Sequence, residues 1–525
     1  MGMPPPWRRN AATTPTCNKE RRNALKLLLY GHGFHYEMEN ICRLFFHQER
    51  IEVEENSRTL PGPGSALVMR EPGEGGDSLS AEVWLENFRE RAEETAPCGA
   101  PPQELERRLA VLLFGLLSSA RGIRPQWGIL TGVRPVKFLR SLSEKYGEEE
   151  AARRFREDYL VSPEKLALSQ ATMAHEGPLL ARSRGDSCSL YVSIPFCPTR
   201  CAYCSFVSSS VEKTVKLVPQ YVELLCRELE HTAQVVRRCG LRVESVYFGG
   251  GTPTTLSAAQ LARLLAVVRG EFDLSHSREL TVEAGRPDTI TEEKLLALRE
   301  GGVTRISINP QTLSDDVLRR IGRRHTTAQT LEAFRLARAC GMDNINMDLI
   351  AGLPGDTAPG FRQTLDGVLA LSPESITVHT LSLKRSAQIF QEGESREQEE
   401  RGAAAMLDYA AARLTGAGYQ PYYLYRQSRM VGNLENVGWC RPGRESPYNV
   451  YIMDETHTIL ACGAGASTKV KEPGTECLER IFNFKYPYEY ISRFQEVLAR
   501  KDRVKEIYDT FGKSVHSLQQ HTGGH

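Results

Sequence analysis

Three cysteines lie within one short stretch of the chain, "LYVSIPFCPTRCAYCSF" at residues 190–206. Cys197, Cys201 and Cys204 have the spacing C-x3-C-x2-C, and three thiolates at this spacing can ligate three irons of a [4Fe-4S] cube. The fourth iron is then open to a further molecule that binds through nitrogen and oxygen. Zinc is the alternative, but zinc sites usually add a second Cys or His pair, and none follows at the ordinary spacing. The cysteines therefore predict an iron–sulfur site.

A glycine-rich loop follows the next predicted strand along the chain, in "YFGGGTPTTL" at residues 247–256. Consecutive glycines allow a ligand to approach the backbone closely, and their N–H and C=O groups can hold a polar head group. Most glycine-rich loops are simply turns. Because this one comes directly after the cysteine loop in the strand order, it favours a ligand held near the cluster.

The residues around both loops predict short strands that alternate with helices. The strand candidates are "SLYVSI", "SVYFGG", "ELTVEA", "RISINP", "NINMDLIAG" and "SITVHTL". Between the first two, apolar residues recur at three- and four-residue steps along one helix face, at Val218, Tyr221, Val222, Leu225 and Leu229. This alternation is typical of a parallel sheet, and six units predict an α/β fold with a partial (β/α)6 barrel. Reactive groups belong at the carboxyl ends of its strands, where both loops lie.

Changes in the sequence pattern predict three domains. Residues 1–180 alternate Pro/Gly-rich loops with helix-like runs and predict an N-terminal accessory α+β domain. Residues 186–395 carry the strand–helix pattern of the core. Residues 396–525 predict a C-terminal α+β domain that covers the substrate and opens with a charged helix. Within it, "YNVYIMDETHTILACGAGAST" predicts a two-strand element that turns near "DET".

The composition limits the classes of function. The 66 Lys and Arg nearly balance the 65 Asp and Glu, which argues against a nucleic-acid binder driven by bulk charge. No apolar run approaches the roughly 20 residues that span a bilayer, and the N-terminal stretch lacks the apolar core of a secretion signal. Clustered cysteines in such a chain favour metal binding over disulfides. We expect a cytoplasmic protein with neither a membrane span nor a nucleic-acid partner.

Several ordered motifs together resemble one enzyme family. They are "YVSIPFCPTRCAYCSF", "FGGGTPT", "TVEAGRPDTI", "RISINPQTLSDDVLRRIGRRH" and "NMDLIAGLPGD". The chain is similar in these to the radical S-adenosylmethionine (radical SAM) enzymes of the oxygen-independent coproporphyrinogen III oxidase group, over about residues 186–390. The long N-terminal extension with "WGILTGVRP", together with "SLKRSA" and "NLENVGW", resembles the HemZ-type coproporphyrinogen dehydrogenases within that group.

The resemblance implies a role for each matching residue. The three cysteines would ligate the cluster, and one or two molecules of S-adenosylmethionine would bind beside it. The positions that match contacts to this cofactor are Tyr191, which is also expected to be catalytic, and Tyr203, Gly250, Gly251, Thr252, Glu283, Gln311, Arg323 and Asp348. An acid at a strand end suits ribose hydroxyls or a sulfonium, and an arginine suits a carboxylate. The structural alternatives are a helix cap for either acid and a surface ion pair for Arg323.

The family activity implied is oxidative decarboxylation of two propionates of coproporphyrinogen III to vinyl groups, which yields protoporphyrinogen IX. The cofactor performs the radical chemistry. The protein orients the substrate, provides charged groups and excludes water from the site. The implied partners are the tetrapyrrole substrate and an electron donor such as flavodoxin or ferredoxin. The protein itself is expected to be a monomer.

One position departs from the best-known oxidases of the group. Those enzymes have a further cysteine shortly after the third ligand, whereas this chain has Phe206, as the related haem chaperones have an aromatic residue. A haem-binding or haem-transfer protein without decarboxylase activity is therefore the alternative function. A radical enzyme that modifies RNA is a weaker alternative, because the N-terminal cysteines are too dispersed for a second cluster.

The substrate end of the site is less distinct in the sequence. A tetrapyrrole with four carboxylates requires cationic side chains and flat apolar surface. The segment after the sixth predicted strand offers His379, Lys384 and Arg385, and we select Lys384 and Arg385 as substrate residues. The aromatic segment "PYYLYRQSRM" offers Tyr422, Tyr423, Tyr425, Arg426 and Arg429, of which Arg426 is the third candidate. For each of these, an ordinary core or surface position is the alternative.

Overall fold

The computed structural model describes most of the chain, namely residues 25–47, 49–56, 61–204, 209–210, 214–382, 396–427 and 430–522. The chain groups into two compact units, Met1–Arg124 and Pro125–His525. This division differs from the predicted domain boundary at residue 180, because the helices between residues 135 and 180 pack on the second unit. Among the described residues, no helix is both long and apolar enough to cross a membrane.

The first unit is an α+β domain built on a mixed sheet. Its strands lie in the order β2-β1-β3-β4-β5, with β1 at Leu25–Tyr30, β2 at Ile51–Glu55, β3 at Ser65–Glu71, β4 at Asp77–Leu85 and β5 at Phe88–Ala96. Helix α1 (His35–Arg43) connects β1 to its parallel neighbour β2. Helix α2 (Pro102–Arg121) buries leucines at four-residue steps against β4 and β5.

The second unit contains one long sheet with the strand order β14-β15-β13-β12-β11-β10-β9-β6-β16-β17-β18. Its strands, in chain order, are β6 (Ser187–Ile194), β9 (Arg242–Gly250), β10 (Glu279–Glu283), β11 (Arg305–Ser307), β12 (Ile345–Ala351), β13 (Ser375–Thr380), β14 (Gln420–Tyr425), β15 (Asn436–Cys440), β16 (Thr458–Cys462), β17 (Ser467–Lys471) and β18 (Leu478–Phe482). A separate short pair joins β7 (Phe196–Cys197) to β8 (Ser209–Ser210).

The centre of this sheet is the predicted partial barrel. In the described part of the chain, β6 and β9 to β13 are six parallel strands that follow one another in sequence order. Their residues are almost entirely buried, as expected for strands covered on both faces. The α/β fold and the six strand predictions are therefore confirmed.

Helices flank the strands throughout the second unit. They are α3 (Pro135–Tyr146), α4 (Glu148–Glu157), α5 (Pro163–Leu180), α6 (Val218–Cys239), α7 (Ala258–Glu271), α8 (Glu292–Glu300), α9 (Asp315–Arg320), α10 (Thr327–Ala339), α11 (Ala358–Ala370), α12 (Arg396–Gly416), α13 (Pro447–Asp454), α14 (Pro487–Ser492) and α15 (Phe494–Thr522). Helix α6 buries the predicted apolar face. Capping boxes at Ser257 and Thr326 satisfy the first free N–H groups of α7 and α10.

The predicted two-strand element near the C-terminus is wrong in its first half. Residues 447–454 form helix α13, and β16 pairs in parallel with β6. Ser446 caps this helix and Pro447 is its first residue. Buried Glu279 of β10 accepts hydrogen bonds from the Ser446 hydroxyl at 2.7 Å and from the Tyr448 N–H at 2.9 Å. The C-terminal strands extend the core sheet at both edges.

A buried carboxylate, Glu435, joins two of the motifs that resemble the HemZ type and forms an ion pair with a third segment. Trp127 of "WGILTGVRP" donates a hydrogen bond from Nε1 to Glu435 of "NLENVGW" at 2.8 Å. The other Glu435 oxygen accepts from the Lys165 ammonium of α5 at 2.6 Å, and these two side chains are 2% and 5% exposed. The pair holds α5 against the segment that leads into β15.

Replacing Glu435 with alanine is expected to lower the free energy of unfolding of the second unit by about 3–5 kcal/mol, because it leaves a buried ammonium without its partner. Urea denaturation followed by circular dichroism measures the change. Glu150→Ala, which removes a carboxylate from an exposed arginine pair on α4, serves as the control and should change little. Equal stability of the two variants would contradict this account.

Candidate functional site

A cavity of about 340 Å³ lies at the carboxyl ends of the parallel strands. Most of the predicted site residues line it, namely Cys197, Cys201, Tyr203, Cys204, Gly250, Gly251, Thr252, Glu283, Gln311, Arg323 and Asp348. These residues come from the ends of β9 and β10, the interior of β12 and the loops that follow several strands, so the topology brings together positions that are up to 151 residues apart in sequence. Tyr191 packs behind the lining in a stack with Tyr247 and Tyr448, whose ring centroids lie 6.2 and 6.0 Å away.

The glycine-rich loop is attached directly to the cysteine loop. The Gly251 N–H donates to the Ile194 carbonyl at 2.8 Å, and the Thr252 N–H donates to the Phe196 carbonyl at 2.8 Å. The Thr252 hydroxyl lies 3.5 Å from the Cys197 sulfur. A Cβ atom at Gly251 would lie 2.6 Å from the Phe196 carbonyl oxygen. Glycine is therefore required here for the close approach of the two loops, a reason that differs from the predicted approach of a ligand.

The loop after α9 supports the cysteine loop from the other side. The Ala202 N–H donates to the Ile321 carbonyl at 3.1 Å, and the Thr199 hydroxyl donates to the Gly322 carbonyl at 3.2 Å. Next to these contacts, buried Arg323 donates from Nη1 to the Asn309 carbonyl at 2.6 Å. Each of the three cysteines is half-buried and lines the cavity. Hydrogen bonds to the loops on both sides hold the backbone that carries them.

Three thiols on one loop that lines the cavity are the kind of ligand that a [4Fe-4S] cluster binds. Within the described ranges, no group of three His, Cys, Asp or Glu side chains could hold one metal ion together. A cube has a different requirement, since each thiolate binds a separate iron and the sulfurs need not converge on one point. Sulfur ligands on a loop that lines a cavity meet that requirement and leave the cavity side open.

Two carboxylates in the cavity have different electrostatic surroundings. Burial raises the pKa of Glu283 from 4.5 to about 7, although Oε1 accepts a hydrogen bond from Tyr247 at 2.7 Å. Burial also raises the pKa of Asp348, but its bonds with His379 and Asn346 outweigh this effect, and the net pKa is lowered. Asn346 Nδ2 lies 2.6 Å from one Asp348 oxygen, and His379 Nε2 lies 3.8 Å from the other.

Gln311 has an unusual backbone and an unused side-chain acceptor. Its φ of +70° lies in the left-handed region that side chains rarely adopt. The Gln311 N–H and carbonyl bond to Asp348 and Ile350 of β12 at 2.9 and 3.0 Å, which holds the residue in this conformation. Gln311 lines the cavity, and its buried side-chain oxygen has no hydrogen-bond partner among the described residues. A strained residue with an open acceptor suits a bound molecule with hydroxyl or amino groups.

The structure places Arg426, a predicted substrate residue, outside the lining of the cavity. Its guanidinium is buried outside the cavity lining, where it donates to the backbone carbonyls of Leu130 and Asn433 and lies 5.4 Å from the Trp127 ring centroid. Its two terminal nitrogens therefore donate to backbone carbonyls, including those of "WGILTGVRP", and do not face the cavity. Lys384, Arg385, Arg429 and Phe206 lie outside the described residues.

Aromatic and amide side chains from the C-terminal segment complete the lining. Tyr423, Tyr425, Asn436, Asn449 and Met453 all reach the cavity. The Tyr423 ring lies across Gly438 of the neighbouring strand, where a Cβ atom would be 1.7 Å from a ring carbon. The glycine of "NLENVGW" thus makes room for a tyrosine in the cavity wall.

Sequence reasoning missed two arginines in the lining, Arg286 and Arg305. Arg305 opens β11 and donates to Ser375 at 3.1 Å. Arg286 follows β10 and contacts the cysteine loop. Both lie inside the motifs that carry the family resemblance. Each is a charged residue next to an apolar strand, and this position is the sequence signal that could have indicated a role in the site.

Comparison with known proteins gives a consistent family. The sequence profile described as the radical SAM superfamily matches residues 191–367. The oxygen-independent coproporphyrinogen-III oxidase-like protein HemZ of Bacillus subtilis is 40% identical over 419 residues, which covers 79% of this chain and 83% of HemZ. The heme chaperone HemW of the same species is 30% identical over 57% of this chain and 77% of its own length.

The solved structure of coproporphyrinogen III oxidase (HemN) from Escherichia coli is similar with a TM-score of 0.48 and 26% identity, over 61% of this chain and 71% of that one. The likeness to HemZ extends along most of both chains and includes the cysteine and glycine loops. On this likeness, the chain belongs to the radical S-adenosylmethionine family of oxygen-independent coproporphyrinogen-III oxidase-like proteins.

Proposed function

We propose that this protein catalyses the oxygen-independent oxidative decarboxylation of coproporphyrinogen III to protoporphyrinogen IX. The observation that carries the proposal is the 40% identity, over 79% of the chain, to a relative whose name is coproporphyrinogen-III oxidase-like. The cavity supports it, because thiols, carboxylates and an open amide acceptor surround one space at the strand ends.

Cys197, Cys201 and Cys204 would hold the [4Fe-4S] cluster, and the cavity beside them would hold S-adenosylmethionine. When bound, these two groups supply a 5′-deoxyadenosyl radical that can remove hydrogen from an unactivated carbon. The chain needs a one-electron donor such as flavodoxin or ferredoxin to start each cycle. The matching positions allow one or two molecules of S-adenosylmethionine.

The protein's own residues would bind and orient the cofactor. Glu283 and Asp348 present acceptors for hydroxyl or amino groups, and Tyr247 and Asn346 hold these carboxylates in place. The unpartnered Gln311 oxygen offers a third acceptor. Glu283 and Asp348 are partly buried, and charge-assisted hydrogen bonds are worth more in such surroundings than in water.

The two propionates of the substrate would react one after the other, by the same steps. Each propionate loses a hydrogen atom from its β-carbon, then carbon dioxide and one electron, and a vinyl group remains. The released electron requires a one-electron acceptor. Lys384 and Arg385 are proposed to hold the carboxylates, and the tyrosines of β14 offer flat apolar surface in the cavity wall. The C-terminal segment would in this way cover the substrate.

An anaerobic assay with product mass analysis tests this function. The full chain with a reconstituted cluster is incubated with reductant, S-adenosylmethionine, coproporphyrinogen III and a one-electron acceptor. We expect 5′-deoxyadenosine and a product that has lost carbon dioxide and two hydrogens from each of two propionates. Cofactor cleavage without any vinyl product, in a chain that carries its full cluster, would exclude the oxidase function.

Haem binding without decarboxylation is the second candidate. It is favoured by the 30% identity to the heme chaperone HemW and by Phe206 after the third cysteine. A haem difference spectrum in the same preparation distinguishes the two functions. Stoichiometric haem binding together with a negative product assay would assign the protein to this function.

The pKa of Glu283 predicts a pH dependence of cofactor binding. Since the carboxyl ionises near pH 7, binding that needs the charged form should strengthen roughly tenfold between about pH 6 and pH 8. Equilibrium dialysis with S-adenosylmethionine measures the dissociation constant. In Glu283→Gln this part of the dependence should disappear, which separates it from titration of the cofactor's amino group. Identical pH profiles for both proteins would contradict the assigned role.

The same shift predicts the stability of the ligand-free protein. The folded state binds the Glu283 proton more tightly than the unfolded chain does. The contribution of Glu283 to the free energy of unfolding is therefore expected to fall as the pH rises from 4.5 through about 7.

A further inference from the structure

Arg286 is a buried arginine whose side chain lies against the cysteine loop. Its side chain is 4% exposed. The guanidinium donates from Nη1 to the Cys201 sulfur at 3.7 Å, a normal distance for an N–H to sulfur bond. The two terminal nitrogens also donate to the Thr199 hydroxyl at 3.2 and 3.1 Å. One residue thus contacts the cysteine loop at two points, in the middle of "CPTRC" at Thr199 and at its last residue, Cys201.

Asp288 fixes the orientation of this guanidinium from its other side. Its two carboxylate oxygens lie 3.1 Å from Arg286 Nε and 3.4 Å from Nη2, a bidentate arrangement. Asp288 belongs to the turn that follows Arg286, so the pair is held locally and presents its free edge to the sulfur. The carboxylate also brings a negative charge close to the loop.

A donor at a ligating sulfur affects the redox equilibrium of an iron–sulfur cluster. Reduction adds one negative charge to the cluster, and part of that charge resides on the thiolate sulfurs. Hydrogen bonds and positive charge at a sulfur stabilise the reduced form and raise the reduction potential, and low solvent exposure strengthens the effect. A nearby carboxylate acts in the opposite direction.

We propose that Arg286 is a positioning residue that raises the reduction potential of the cluster through Cys201, and that Asp288 limits this increase. The proposal rests on the cluster-binding part of the function proposed above and is independent of the substrate. Its consequence is control over how readily a one-electron donor can reduce the protein.

Redox titrations of the full chain with a reconstituted cluster, followed by electron paramagnetic resonance, test this role. Arg286→Met is expected to shift the equilibrium with a reductant at least tenfold toward the oxidised cluster, which corresponds to about 59 mV for one electron. Asp288→Asn is expected to shift it in the opposite direction. Arg338→Met removes a partly buried arginine, paired with Glu374 at the opposite ends of the strands, and should leave the potential unchanged.

Opposite shifts in the two variants are the signature of an electrostatic role, since general loosening of the loop would move both in one direction. Unchanged potentials, or shifts of the same sign, would overturn the proposal. If Arg286→Met does not retain the cluster, Asp288→Asn decides: an upward shift supports the role, and any other result rejects it. A wild-type chain that carries its cluster but yields no vinyl product would refute the proposed function and leave this inference standing.

Discussion

Cys201→Ala protein purified without oxygen is expected to be colourless, whereas the wild-type chain is expected to be brown with about four irons per chain. The physical reason is that only three thiolates of the protein ligate the cluster, and the substitution removes one of these three ligands. Iron analysis and the visible absorption spectrum measure the change. Cleavage of S-adenosylmethionine should disappear together with the iron.

Cys477→Ala provides the matched control for this experiment. Cys477 is an exposed free cysteine beside β18, so its loss should leave colour and iron content unchanged. If the wild-type chain contains stoichiometric zinc and no iron after anaerobic purification, the cluster prediction fails. Equal iron loss in both variants would indicate that thiol chemistry elsewhere, and not the loop, determines the metal content.

Asp348→Ala is expected to raise the dissociation constant for S-adenosylmethionine by about 10- to 150-fold while the cluster spectrum remains intact. A hydrogen bond to a charged group is worth roughly 1.5–3 kcal/mol, and this range corresponds to that change in affinity. Asp348 lies in the middle of β12, lines the cavity and is held by Asn346 and His379, so its loss removes a ligand contact and not an iron ligand.

Asp366→Ala is the control for Asp348. Its carboxylate lies on α11, paired with Arg413 in an exposed ion pair outside the cavity lining, and should not affect cofactor binding. Equilibrium dialysis on both variants, with iron content measured in parallel, gives the comparison. If Asp348→Ala binds and cleaves the cofactor as the wild type does, Asp348 has a structural role.

Much of the core could be inferred from local patterns. The spacing of Cys197, Cys201 and Cys204 is a local property of the chain. The buried strands are likewise visible locally, as runs of apolar residues. The rule that loops gather at the carboxyl ends of parallel strands then brings Glu283 and Asp348 to the cysteines, and the cavity contains all of them. These inferences succeed because neighbours in sequence, or a general rule of topology, specify them.

Other features depend on partners that are distant in sequence. Residues 447–454 are rich in residues that are favoured in strands, yet they form a helix. Ser446 caps this helix and donates a hydrogen bond to Glu279, which lies 167 residues earlier. Arg426 is a cation of the kind that could bind the substrate, but its guanidinium donates to the carbonyl of Leu130, 296 residues away. Arg286 lies in a quoted motif, and its contact with Cys201 becomes visible only when β10 and the cysteine loop are adjacent.

The difference has a physical basis. Hydrophobic periodicity and ligand spacing are set along a few consecutive residues, so they are encoded where they act. The partner of a buried charge is set by whichever acceptors the folded chain brings within about 3 Å, and that choice depends on the packing of the whole sheet. Composition around Arg286 or Arg426 shows that a guanidinium is present, and the assembled strands decide whether it meets a sulfur, a carbonyl or a ligand.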